Sequence, residues 1–281
     1  MSRQNTQRIG EIVAILTTVI VIIPIFIVIL FIIVNGIQAI NWEFLSEAPR
    51  NGMTEGGIWP AILGTILLTV CTAIVVMPFG IGAAIYLAEY AGDSWFTRAI
   101  HMAIVNLAGI PSIVYGLFGL GAFVLFFNFG TSIIAGALTL GLMTLPIIIS
   151  TSEEAILSVP QEFRIVSRSL GATHWQTVRH VVMPNALPGI ITGVILGLVR
   201  AAGETAPILF TVAAFYLPEL PRSLFDQTMA LPYHLYVIST QVPGMPLQIQ
   251  YGTALVLLLM VLSFTVVAAV VRTIMRRRRE W

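Results

Sequence analysis

The chain has 281 residues, 57% of them apolar and only 10% charged, with a mean hydropathy of +0.94. Soluble domains carry about 25% charged residues, so a water-soluble globular fold is excluded and an all-α polytopic membrane protein is expected. A net charge of +1 offers no basis for nucleic-acid binding, and the single cysteine, Cys71, excludes a disulfide framework or a cysteine metal site.

Arg3 and Arg8 precede an uncharged apolar run, residues 12–34, long enough to cross a hydrocarbon layer of ~30 Å. The run is too long for a signal peptide and lacks a small-x-small cleavage site. Residues 35–57 carry Glu43, Glu47, Arg50 and Glu55 with Trp42, and read as an interfacial loop. The second span covers 56–88, loosened near its end by Pro78 and Gly80. A short polar turn, 89–98, leads into 54 uncharged residues, 99–152. As one helix these would extend ~80 Å, so the stretch folds back, with Asn128-Phe129-Gly130-Thr131 as the turn between spans three and four. A polar, basic loop occupies 153–184. Span five follows at 186–215, a proline-rich loop at 217–250, and span six at 251–271. The chain thus divides into a tail, first span and loop (1–58), a five-helix transmembrane domain (59–271) and a basic tail (272–281).

Six spans put both termini on one side. Arg3, Arg8, Arg98, Arg164, Arg168, Arg179, Arg272 and four arginines at 276–279 share it, against Arg50 and Arg222 on the other. Arginine bias of this kind marks the cytoplasmic face, so a multi-pass protein of the cell membrane is expected, with the termini and the 153–184 loop in the cytoplasm.

Span five contains Arg200 and Glu204 in otherwise apolar sequence. One such charge at a helix centre costs roughly 2.5–3.5 kcal/mol on insertion scales. Four residues apart, the two share a helix face and partly neutralise each other. Two readings are open: an ion pair that fixes helix packing, or an anion site on a transport pathway. Pro207 removes the hydrogen bond to the Gly203 carbonyl and disfavours helix at Ala206, so a kink or break at Gly203–Pro207 is expected beside Glu204. A half-helix N-terminus there would favour an anion. Gly189, Gly193, Gly197 and Ala201 form a small-residue stripe for close helix packing.

The 153–184 loop contains two helix starts, Ser158-x-x-Gln161 and Thr173-x-x-Gln176, both fitting a capping box. Gly171 suits the left-handed residue that ends the first helix, and Pro184 is expected to stop the second. The result is a helix–turn–helix outside the membrane, with Phe163, Val166, Leu170 and Trp175 available for contact. It is tethered at both ends to spans, which favours a docking element for a cytoplasmic partner over DNA binding.

The pattern Leu170-Gly171-Ala172-Thr173-x-Trp175-Gln176 through Val181-Val182-Met183-Pro184 resembles the EAA loop of ABC importer permeases. Arg200-x-Ala202-Gly203-Glu204-Thr205-Ala206-Pro207 is similar to the corresponding motif in the permease family of phosphate importers of the PstA type. Gly109–Gly116 and Met229–Tyr236 agree with the same family. One departure stands out: the triplet that names the EAA motif is replaced by Ile165-Val166-Ser167.

The resemblance implies a type I importer permease fold of six transmembrane helices with a cytoplasmic coupling-helix loop. Phe163, Arg164, Val166, Arg168, Leu170, Gly171, Ala172 and Trp175 would form the ATPase coupling loop. Arg200, Glu204, Thr205 and Ser112 would lie on the substrate pathway. The implied partners are a homologous permease subunit in a heterodimer, two ATP-binding ATPase subunits, an outer phosphate-binding protein and the lipid bilayer. The implied function is inward movement of inorganic phosphate across the cell membrane, with another oxyanion (sulfate, molybdate) or a membrane sensor of phosphate status as alternatives. No GxxxxGK[ST] loop occurs, so the chain is not expected to be an enzyme, and ATP and magnesium belong to the partner ATPase. No metal site is expected either, since His174 and His180 do not share a helix face.

The chemistry of the pair is compatible. Arginine offers a planar fork of donors for phosphate oxygens. Phosphate keeps a proton at pH 7 that sulfate lacks, and Glu204 can accept it. One arginine beside one glutamate cannot neutralise a dianion, which calls for further charges from a second subunit.

Overall fold

The computed structural model describes residues 3–277 and is almost wholly helical. In chain order the elements are α1 (Arg3–Gly36), α2 (Trp42–Ser46), β1 (Pro49–Arg50), β2 (Glu55–Gly56), α3 (Trp59–Ile85), α4 (Trp95–Ala108), α5 (Ser112–Gly119) and α6 (Ile133–Leu157). They continue as α7 (Gln161–Ser169), α8 (His174–Thr177), α9 (Met183–Gly203), α10 (Ala206–Leu209), α11 (Leu231–Thr240) and α12 (Leu247–Arg277). Three π-helical turns extend or join them: Tyr86–Tyr90 after α3, Leu120–Phe126 after α5, and Val178–Val182 between α8 and α9. The last four residues of the basic tail, 278–281, lie outside the described residues.

Among the described residues, five helical stretches are long and apolar enough to span a bilayer: Glu11–Ala39, Trp59–Tyr90, Ile133–Leu157, His174–Gly203 and Leu247–Met275. The pair Trp95–Ala108 and Ser112–Phe126 makes a sixth when counted as one span, although the two halves are bent by 101°. The expected fold-back at 128–131 is present, with Asn128 and Gly130 at positive φ. Span three departs from expectation. It breaks at Gly109-Ile110-Pro111, where Pro111 cannot donate into a helix and holds Ile110 away from helical geometry.

Span five also differs. Pro184 does not end a helix: the chain runs helically from His174 to Gly203 through Pro184 and Pro188. The π turn at Val178–Val182, closed by the Met183 N–H donating to the Val178 carbonyl, widens the helix just ahead of Pro184. The helix then stops at Gly203 rather than reaching 215, leaving the rest of the crossing irregular apart from the single turn of α10.

The core is the stack of α3, α6 and α9, whose seams are the most extensive in the molecule. The small-residue stripe of α9 lies on α6: a Cβ at Gly189 would meet the Ala155 Cβ at 2.5 Å, and one at Gly197 would meet the Ile148 Cγ1 at 3.0 Å. Gly193 is pressed against Thr151. Buried hydroxyls along these seams bond within their own helices, to the carbonyl four residues back: Thr65 to Ala61, Thr69 to Thr65, Thr72 to Leu68, Thr139 to Ala135 and Thr144 to Leu140. Helix α1 stands apart; the most apolar stretch of it has no buried residue. It meets α12 at Gly36, where a Cβ would sit 2.5 Å from the Tyr251 carbonyl oxygen.

Candidate functional site

Helix α9 breaks where Pro207 says it must. Gly203 is its last residue, Glu204 is extended (φ −78°, ψ 136°), and α10 restarts at Ala206. The break lies at membrane depth, because Gly197, nearly two turns earlier, packs on Thr144 and Ile148 in the middle of α6. Arg200 occupies the last turn of α9, and its Nε lies 3.3 Å from Glu204 Oε1. The Arg200 side chain is 43% exposed and the Glu204 side chain 19%. Most guanidinium donors therefore face away from the chain's own core. Thr205 follows, half-buried, in the N-cap position of α10 but without a side-chain capping hydrogen bond.

The pole presented by α9 at this break is its carbonyl end, where a cation is favoured, and the single turn of α10 is too short to carry much dipole. The half-helix N-terminus expected here is found instead at the other broken span. Helix α5 begins at Ser112 after Pro111, and Ile110 and Val114 on either side of that start line one cavity with Leu142 and Leu145 of α6. Tyr115 ties the two halves of span three together by donating its hydroxyl to the Leu107 carbonyl at 2.8 Å. The Arg200 guanidinium is within coulombic reach of Tyr115. One turn further on, Gly116 lets α5 pack against the break itself: a Cβ there would lie 2.9 Å from the Ala206 carbonyl oxygen and 3.1 Å from Pro207 Cα.

The third stretch that carried the family resemblance, Met229–Tyr236, backs this arrangement. Thr228 pairs with the segment after α10, its N–H donating to the Val212 carbonyl at 3.3 Å and its carbonyl accepting from Ala214 at 3.0 Å. The Leu231 N–H donates to Thr65 Oγ1 on α3 at 2.8 Å. His234 is 2% exposed, its Nδ1 has no partner, and burial pushes its pKa down to about 4. It is a neutral side chain wedged at the end of the bundle away from α7.

At the opposite end, α7 and α8 form the expected hairpin. Gly171 has φ +85° with open space where a Cβ would be, so the backbone conformation alone demands glycine. Thr173 and Gln176 complete a capping box, at 3.2 Å for the Thr173 Oγ1 acceptor and 2.8 Å for the Gln176 Oε1 acceptor. The other expected box is absent: Ser158 donates to the Ala155 carbonyl and Pro160 is the N-cap of α7. Proline already sets the φ that α7 needs there.

Val166, Leu170 and Trp175 are exposed, as are Ile165 and Arg168. An apolar groove of about 440 Å³ runs between Glu162, Phe163, Val166, Leu170, Ala172 and Val181. Ser167, in the altered triplet, bonds Thr177 Oγ1 at 2.9 Å and so fastens α7 to α8.

Arg164 does not face outward with its neighbours. Its side chain is 4% exposed and pairs with Glu89, also 4% exposed, at 2.7 Å from Nη2 and 3.0 Å from Nε. Nη1 donates to the Val159 carbonyl at 2.5 Å and Nη2 to the Ile156 carbonyl at 2.9 Å. His174 Nε2 donates to the Glu89 carbonyl at 3.0 Å, and its ring packs edge-on to Tyr90 at 4.8 Å. Sequence reasoning placed Glu89 in a polar turn and gave His174 no role. The two partners of the pair are 75 residues apart, and neither has a local motif.

Comparison with known proteins agrees with this geometry. Residues 77–281 match the family of binding-protein-dependent transport system inner membrane components. The probable ABC transporter permease protein YqgI of Bacillus subtilis is 34% identical, covering 85% of each chain. The phosphate transport system permease protein PstA 1 of Mycobacterium tuberculosis is 35% identical over 80% of this chain and 72% of its own. The fold is shared with a bacterial ABC transporter involved in import of the acidic polysaccharide alginate, at TM-score 0.67, 14% identity and 99% coverage of both chains.

Proposed function

The chain belongs to the binding-protein-dependent transport system inner membrane components, and from that premise we propose that it is the translocation subunit of an ATP-driven importer of inorganic phosphate. The observation that carries the reading is the meeting of two broken spans at mid-depth. Irregular backbone inside a bilayer is tolerated only where protein buries it or it lines a polar cavity. Arg200, with its donors turned outward, stands at one break, and the N-terminus of α5 at Ser112 stands at the other. The arrangement suits a tetrahedral oxyanion: guanidinium forks on one side, helix-terminal N–H groups and the Ser112 hydroxyl on the other. Glu204 and Thr205 complete the path, Glu204 accepting the proton that distinguishes phosphate from sulfate. Phosphate itself is favoured by the phosphate permease relative.

The exposed face of Arg200 is closed by a homologous permease subunit, which supplies the charge a dianion still lacks. The arginine bias supports a cytoplasmic position for both termini and the α7–α8 hairpin. There the apolar groove and the exposed Val166, Leu170 and Trp175 dock an ATPase subunit, one of two that bind ATP and magnesium. An outer phosphate-binding protein delivers substrate to the far face. The test is uptake in proteoliposomes containing this chain with those partners. ATP-dependent phosphate uptake, lost in Arg200→Ala, is expected. Uptake that ignores phosphate and follows sulfate or molybdate would overturn the substrate.

A further inference from the structure

We propose that Glu89, Arg164 and His174 form a lock that makes the α7–α8 hairpin move as one body with the ends of α3 and α6. This rests on the proposed transport function and adds positioning residues to it. The first argument is saturation. Arg164 spends its guanidinium on Glu89 Oε1 and on the Val159 and Ile156 carbonyls, and both charged side chains are 4% exposed. Charges so thoroughly desolvated hold one geometry, since losing either partner leaves the other buried and unpaired.

The second argument is connectivity. Glu89 belongs to the π turn that closes α3, Ile156 and Val159 to the end of α6, Arg164 to α7 and His174 to α8. Four elements therefore meet at one ion pair. Phe163 packs from α7 into the same region, with Val182, Ile156 and Ala88. Without the pair, the Ser167–Thr177 bond still ties α7 to α8 and His174 still reaches the Glu89 carbonyl, but the side-chain bonds from Arg164 on α7 itself to the ends of α3 and α6 are lost. With it, a displacement of the hairpin passes directly into α3 and α6. Helix α6 is the surface on which Gly193 and Gly197 of α9 rest, one turn from Arg200.

The role predicts loss of coupling rather than loss of assembly. The variant is the double replacement Glu89→Met with Arg164→Met, which leaves no orphaned charge. It is assembled with the homologous permease, ATPase subunits and outer binding protein in proteoliposomes. Phosphate imported per ATP hydrolysed, normalised to assembled complex, is expected to fall threefold or more. A purely structural role lowers uptake and hydrolysis together and leaves this ratio alone; any change smaller than threefold overturns the proposal. Should the double variant fail to assemble, His174→Ala, which buries no charge, decides: a twofold fall in the ratio is expected, and a smaller one overturns the lock. If the parent complex imports no phosphate, the proposed substrate fails. The lock is then read from hydrolysis alone, as a threefold loss of stimulation by the binding protein in the double variant, or twofold in His174→Ala; smaller losses overturn it.

Discussion

At mid-span and at the α7 end, the same two side chains, an arginine and a glutamate, are put to opposite uses. Arg200, in the last turn of α9, and Glu204, just past its end, lie 3.3 Å apart, with 43% and 19% of their side chains exposed. Arg164 and Glu89 come from elements far apart in sequence, at 2.7 Å, each 4% exposed. The first pair leaves donors unused and costs little to disturb. The second uses its donors on carbonyls and carboxylate and tolerates no loss. Exposure, more than residue type, separates a pair able to bind something from one able to hold something.

The comparison breaks most visibly in stability. Arg164→Ala strands Glu89 in the interior and is expected to cost about 3–5 kcal/mol, read as a lowered unfolding midpoint in detergent. Arg200→Ala removes an i,i+4 pair on a partly open face, so its stability change should stay below about 0.5 kcal/mol. Equal losses from the two substitutions would erase the distinction.

A third buried titratable group, His234, sharpens the contrast because it is sealed yet unpartnered. Its pKa in the folded chain is about 4, below the ordinary value of about 6.5. The unfolded chain therefore takes up a proton first. Stability is full above pH 6.5 and declines as pH falls toward 4. Between pH 6.5 and 5 the loss is about 2 kcal/mol, and His234→Gln should remove that slope from an acid-unfolding series. Next in size, Arg200→Lys keeps the charge but loses the fork. It is expected to lower phosphate uptake about tenfold, or about 1.4 kcal/mol, with the unfolding midpoint unmoved. Smallest is Gly171→Ala. The φ of +85° with open space around it makes the cost purely conformational, about 1 kcal/mol; Gly171→Asn should cost less, because asparagine tolerates the left-handed region.

Local signals made much of this legible from sequence. Pro207 announced the break beside Glu204, Gly171 and Thr173 announced the turn of the hairpin, and the glycine stripe announced a close helix contact, though not that α6 makes it. Where the signal was local but ambiguous, the reading failed. Pro184 resembled a stop, yet a π turn upstream accommodates it, and Pro111 passed as part of a motif although it splits span three. The ion pair at the α7 end had no local signal at all. Glu89 and Arg164 acquire meaning only when the bundle brings their helices together, and no periodicity encodes that.

The threonines along the α3–α6 seam carry one more consequence. Their hydroxyls donate to carbonyls of their own helices, so, apart from Thr65, which also accepts from the Leu231 N–H, these polar groups are indifferent to which neighbour lies across the seam. A shift of α3 past α6 exchanges one set of dispersion contacts for another and breaks none of these bonds. Mechanically the mid-length of the seam is a slip plane, where shear meets friction from packing, and polar resistance sits at the Glu89–Arg164 end.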